Sequence, residues 1–170
     1  MGAFSYLEDF MASLFILRIE TVCGKGMYAD ALSSKVQSKT LEGLGYPRWQ
    51  ATGLYIDLCM CLDKEKELHP VPEEDIPGWE DLAKNEKEML TYYFGFSSWE
   101  QAREWVGLRA FNEMGMLGAN LCIYEMKEED VLLGGKQAAF KMGNALRVLK
   151  MPINKDMQDL IWEEIEGYDD

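Results

Sequence analysis

The apolar positions of the first 62 residues follow a helical rhythm. Over residues 5–22, Leu7, Phe10, Met11, Leu14 and Phe15 recur at helical spacing, and Ile16 and Ile19 widen the apolar surface as in a central helix. A strand over "SLFILRIETV" is the competing reading. "GKG" at 24–26 breaks the element, and residues 27–41 read as a second helix stopped by "EGLGYP". Pro47 suits the first turn of a third helix through residue 62, with Trp49, Leu54, Leu58 and Cys61 facing inward.

The pattern then changes. "HPVPEEDIPGW" places three prolines in a short acidic stretch, which predicts an exposed Pro-rich acidic loop over residues 67–77. Residues 79–94 read as helix. "SSWEQAREW" supplies a helix start at Ser97 or Ser98, with Glu100 or Gln101 closing a capping box, and the helix carries Trp99, Ala102 and Val106 to about residue 114. Residues 117–126 are an apolar run that fits a buried helix or a strand equally well. Residues 128–150 read as a long helix with Ala139, Met142, Leu146 and Leu149 on one face. Pro152 ends it, and Asn154 can cap a last helix over 155–166. The pattern predicts a mainly all-α fold, a bundle of about seven or eight helices in one domain spanning 1–170, with one short strand pair as the alternative.

Length and composition fit that expectation. A chain of 170 residues with 48% apolar content can bury a core without disulfides or a structural metal. Its four cysteines are scattered, and the first 20 residues carry Glu8, Asp9 and Arg18 where a secretory signal would be basic and then apolar. A reducing, cytoplasmic setting is therefore expected, and no stretch is apolar enough to suggest a membrane span.

Charge changes the picture more. The net charge is -13, from 30 acids and 17 bases, which disfavours direct binding to nucleic acid or anionic lipid. The acidity is concentrated: residues 63–100 hold 11 acids against 4 bases, and residues 151–170 hold 7 acids against 1. A surface of this sign favours fast encounter with a basic partner.

Candidate chemistry is sparse. Cys59 and Cys61 lie in a helical pattern that points them apart, so the cysteines read as small buried apolar residues rather than zinc ligands. His69, the single histidine, reads as a solvated loop residue without a sequence-defined nucleophile. "DVLLGGKQ" fails as a phosphate loop, because Asp130 replaces the first glycine and Gln137 the Ser or Thr that would hold magnesium. Paired carboxylates are the main enzymatic alternative: Glu125 with Glu128, and Glu166 with Asp169, could each share a helical face and together hold magnesium against a nucleotide phosphate. This pattern loosely resembles the all-helical nucleotide pyrophosphohydrolases of the MazG type. In that family the two steps lie closer together than Glu128 and Glu166 do here.

The acidic surfaces remain. In the last predicted helix Asp156, Asp159, Glu163 and Glu166 form one stripe opposite Met157, Leu160, Ile161 and Ile165. Glu163 and Glu166 lie towards the helix end whose dipole disfavours acids, so helix stability does not account for them. The leading expectation is a non-catalytic module that occupies a basic surface of a partner protein, with no cofactor. The partner would be a nucleic-acid-handling enzyme whose phosphate sites the carboxylates imitate. In composition alone this resembles phage and mobile-element inhibitors of the anti-restriction and anti-CRISPR kind. The contact residues expected are Asp156, Asp159, Glu163, Glu166 and Trp162, together with Glu73, Glu74, Asp75 and Trp79. A structural or assembly homodimer is the third reading.

Overall fold

The computed structural model describes residues 13–22, 24, 26, 69–157 and 159. The architecture is mixed α/β. Strands β1 (Ser13–Glu20), β3 (Asn120–Lys127) and β6 (Leu146–Pro152) form one antiparallel sheet in the order β1-β3-β6. Strands β2 (Tyr92–Gly95), β5 (Ala138–Lys141) and β4 (Val131–Leu133) form a second, in the order β2-β5-β4. The two sheets meet where Leu17 and Phe96 exchange both backbone hydrogen bonds at 2.8 Å. Gly95 makes that approach possible, because a Cβ there would stand 2.6 Å from the Leu17 carbonyl oxygen and from the Ile16 side chain.

Among the described residues helices α1 (Pro72–Asp75), α2 (Trp79–Ala83), α3 (Glu86–Met89) and α4 (Trp99–Met116) accompany the sheets, the last kinked at Gly107 (φ 69°, ψ 157°). Helix α4 lays Trp105, Val106, Ala110, Phe111 and Met114 against Leu17, Ile19 and Leu121 on one face of the first sheet, and Ile153 and Met157 close that layer. The opposite face carries Ile16, Cys122, Tyr124 and Met126, which pack on Val131, Ala138 and Phe140 of the second sheet. Ile16 and Phe140 are fully buried, each contributing roughly 1.5–3 kcal/mol from removal of apolar surface. A third cluster sets Ile76 and Trp79 on Ala139, beneath α1 and α2.

The all-α expectation is therefore corrected. Of the helix expected over 5–22, residues 13–20 are instead β1: a continuous apolar run satisfies helical and strand periods alike, and here both faces are covered. The helix expected over 79–94 divides into α2, α3 and β2, since Asn85 starts a new turn by accepting the Glu88 N–H, and the aromatic run Tyr92-Tyr93-Phe94 favours a strand. Residues 117–126 resolve largely into strand β3. The long helix expected over 128–150 is instead β4, β5 and β6, separated by Gly134-Gly135 and by a 3-10 turn at Met142–Asn144. The helices expected over 27–41 and 47–62 lie outside the described residues.

Local capping signals read correctly. Ser98 is the N-cap of α4, its hydroxyl accepting the Gln101 N–H at 3.2 Å. Asn154 Oδ1 accepts the Met157 N–H at 2.9 Å and opens the final described turn. Among the described residues no helix is long and apolar enough to cross a membrane.

Candidate functional site

The acids of residues 73–81 gather around one open concavity. Pro72 starts α1, where its missing N–H costs nothing, and the next residues are Glu73, Glu74 and Asp75. Ile76 and Trp79, 2% and 5% exposed, hold this segment to the second sheet, with the Trp79 ring 5.1 Å from Phe94 and edge-on to Tyr92 at 6.4 Å. The chain turns at Gly78 and presents Glu80 and Asp81 from α2. Five acidic residues, Glu73, Glu74, Asp75, Glu80 and Asp81, line a concavity of ≈ 400 Å³ together with Ile76, Pro77 and Gly78. Lys84 approaches the rim, paired with Asp81 at 2.6 Å across two exposed side chains.

Asp75 differs from its neighbours because it holds the loop between β4 and β5. Its carboxylate accepts the Lys136 N–H at 2.9 and 3.1 Å and the Gln137 N–H at 2.9 Å, while Gln137 Nε2 donates to the Pro70 carbonyl at 2.9 Å. Gly134 is required for this fit: a Cβ there would strike the Asp75 carboxylate and lie 2.7 Å from the Gln137 carbonyl oxygen. The α4 capping region adds a second anchor, with Gln101 Nε2 donating to the Gly134 and Gly135 carbonyls at 2.9 and 3.2 Å. The "GGKQ" stretch is thus a tight loop whose two amides are occupied by an internal carboxylate. Its Lys136 ammonium is paired with Glu104 at 2.5 Å.

The remaining expected site residues are dispersed. Trp79 is a buried anchor beneath the acids rather than an exposed contact. Asp156 is exposed and Asp159 half-buried, while Trp162, Glu163, Glu166 and Asp169 lie outside the described residues. Glu125 sits in β3 and Glu128 begins a 3-10 turn, so these two do not form a helical carboxylate step. Among the described residues no group of three or more His, Cys, Asp or Glu side chains is placed to hold a metal ion. His69 is half-buried; its ring lies 4.7 Å from Trp105, and its Nε2 is in hydrogen-bond contact with the Trp105 carbonyl.

One polar cluster was not expected from the sequence. On β1, Arg18 and Glu20 face the same side and pair at 2.9 Å, both almost wholly buried. Arg18 Nη1 donates to the Phe94 carbonyl at 2.7 Å, and its guanidinium lies 5.0 Å from the centre of the Tyr93 ring. From β3 the Tyr124 hydroxyl donates to Glu20 at 2.8 Å and the Cys122 thiol at 3.4 Å. Burial, then the Glu20 charge, pushes the Cys122 thiol up to about 12 and raises the Tyr124 phenol in the same direction. Both groups stay protonated at neutral pH and serve as donors to the carboxylate. The sequence signal was an i, i+2 Arg and Glu inside an apolar run, which is meaningful only once that run is read as a strand.

The family described as "Bacteriophage T4 Y00F protein" matches residues 11–154. The chain belongs to that family. The match takes in the six described strands, the acidic concavity and the buried Arg18–Glu20 pair of this Y00F-family chain. It stops short of most of the second acidic stretch at 151–170. Searches of the curated proteins and of the solved structures gave no match.

Proposed function

We propose that this Y00F-family protein is a binding module that seats a basic surface of a partner protein on the acidic concavity of residues 73–81. The observation that carries the reading is the gathering of five acidic residues along one concave surface backed by buried Ile76 and Trp79. Asp75 fixes the geometry through the β4–β5 loop and Asp81 is paired with Lys84, which leaves Glu73, Glu74 and Glu80 to meet the partner. Carboxylates held on a rigid support lose less freedom on binding than flexible ones, and a single sign of charge in a concavity speeds encounter.

The chemistry such a surface recognises is a cluster of Lys and Arg side chains. In a phage-protein family, a nucleic-acid-handling host enzyme is the fitting target, since its phosphate-binding sites present that cluster. Asp156 and Asp159, with Glu163 and Glu166 outside the described residues, are the further contacts expected from the sequence under the same reading. The test is affinity capture from host extract after nuclease treatment, comparing the native protein with a Glu73→Gln, Glu74→Gln, Glu80→Gln variant. A basic partner retained at low salt and lost by the variant supports the reading; equal retention by both removes the concavity from it.

A further inference from the structure

Among the described residues strand β6 is one of the two edges of the first sheet, and it differs in character from the rest of the chain. Its sequence, LRVLKMP, contains two bases and no acids in a protein of net charge -13. Residues 146–150 are all exposed, with Leu146, Val148 and Leu149 at 64%, 46% and 39%. Among the described residues β6 pairs only with β3.

The register assigns its two faces different chemistry. Directly paired residues in an antiparallel ladder project to the same side. Ile123 pairs with Leu149 and Tyr124 with Arg147, so Val148 is an extra residue, a β-bulge. The bulge moves Arg147, opposite Tyr124, onto the same face as Lys150, opposite Cys122; without it, positions three apart would point to opposite faces. Leu146, Leu149 and Met151, paired with Glu125, Ile123 and Leu121, fall on the other face, the one that α4 covers further along. On that face Glu125 separates Leu146 from the exposed Phe15 of β1, so the apolar strip belongs to β6 and to Ile123 and Leu121 beside it.

We propose that β6 accepts an extended segment of a partner protein that alternates acidic and aliphatic residues, added as a fourth strand. Alternation follows from the two faces: carboxylates would meet Arg147 and Lys150 on one side, and aliphatic side chains would extend the Leu146–Leu149–Met151 strip on the other. Main-chain hydrogen bonds supply affinity in such strand addition, and side-chain alternation supplies selectivity. A second copy of this chain is disfavoured, because antiparallel pairing of two β6 strands would set Arg147 and Lys150 of both copies along one face. The surface lies on the first sheet, apart from the acidic concavity on the second, and takes a partner of opposite charge.

The test uses the full chain and a capped seven-residue peptide of alternating glutamate and valine, matched in length to β6. Its controls are the same peptide with lysine in place of glutamate and one N-methylated at alternate backbone amides. Saturable binding of the glutamate peptide, lost with the lysine peptide and with the N-methylated peptide, is the expected result. Arg147→Glu with Lys150→Glu, both exposed positions, should weaken it by about tenfold. No saturable binding of the glutamate peptide, binding that survives N-methylation, or a dimer that forms through β6 would each overturn the proposal.

Discussion

Arg18 Nε stands 2.9 Å from Glu20 Oε1 with the two side chains 2% and 1% exposed, so an ion pair lies inside the interface between the two sheets. Removing one partner from such a pair leaves a charge without compensation in a medium that solvates it poorly. Arg18→Met or Glu20→Gln is expected to destabilise the fold by about 3–5 kcal/mol, and the double replacement by less than the sum of the two. Urea denaturation of the three variants reads this directly. Additive losses would show that the pair is not coupled.

The same cluster makes the protein sensitive to alkali. The Cys122 thiol titrates near 9.0 when free and near 12 in the folded chain. Between those values the unfolded chain has released a proton that the folded chain keeps, so the thiol's contribution is intact below pH 9 and declines as pH rises towards 12. Denaturation midpoints should fall more steeply above pH 9 for the native protein than for Cys122→Ala. Parallel curves for the two would contradict the placement of the thiol against Glu20.

Asp75 ties α1 to the β4–β5 loop, and its removal should be felt there first. Asp75→Ala frees the Lys136 and Gln137 amides, at an expected cost of about 2 kcal/mol. Those two amides should lose hydrogen-exchange protection while the amides of β1 and β3 keep theirs. Gly134→Ala should produce the same loss by steric means, since its Cβ meets the carboxylate. Unchanged protection in both variants would show that Asp75 does not hold the loop.

The capping residues and the acidic stretches were legible in the sequence; the sheets were not. Ser98 with Gln101, and Asn154 with Met157, act through side-chain bonds to amides three residues away, so local sequence contains the whole signal. Strands β4, β5 and β6 owe their pairing to partners far along the chain. An alanine-rich run with Met142, Leu146 and Leu149 at helical spacing concealed the hairpin punctuation at Gly134-Gly135 and Gly143-Asn144. Strand β1 concealed itself differently: it is buried on both faces, so the alternation that marks a half-exposed strand is missing. The acidic residues Glu73, Glu74 and Asp75 were recognised from composition. That Asp75 would turn inward to bind backbone amides, and that Trp79 would support the site from beneath, depends on the β4–β5 loop and was not visible locally.

The central claim is that the carboxylates of Glu73, Glu74 and Glu80 meet a basic partner surface. The most direct measurement is the association rate of the captured partner with the native protein and with the Glu73→Gln, Glu74→Gln, Glu80→Gln variant across a salt series. The account predicts a rate that falls steeply with salt for the native protein, and for the variant a flatter dependence with affinity reduced by about tenfold. Identical rates and salt slopes for the two proteins would contradict it.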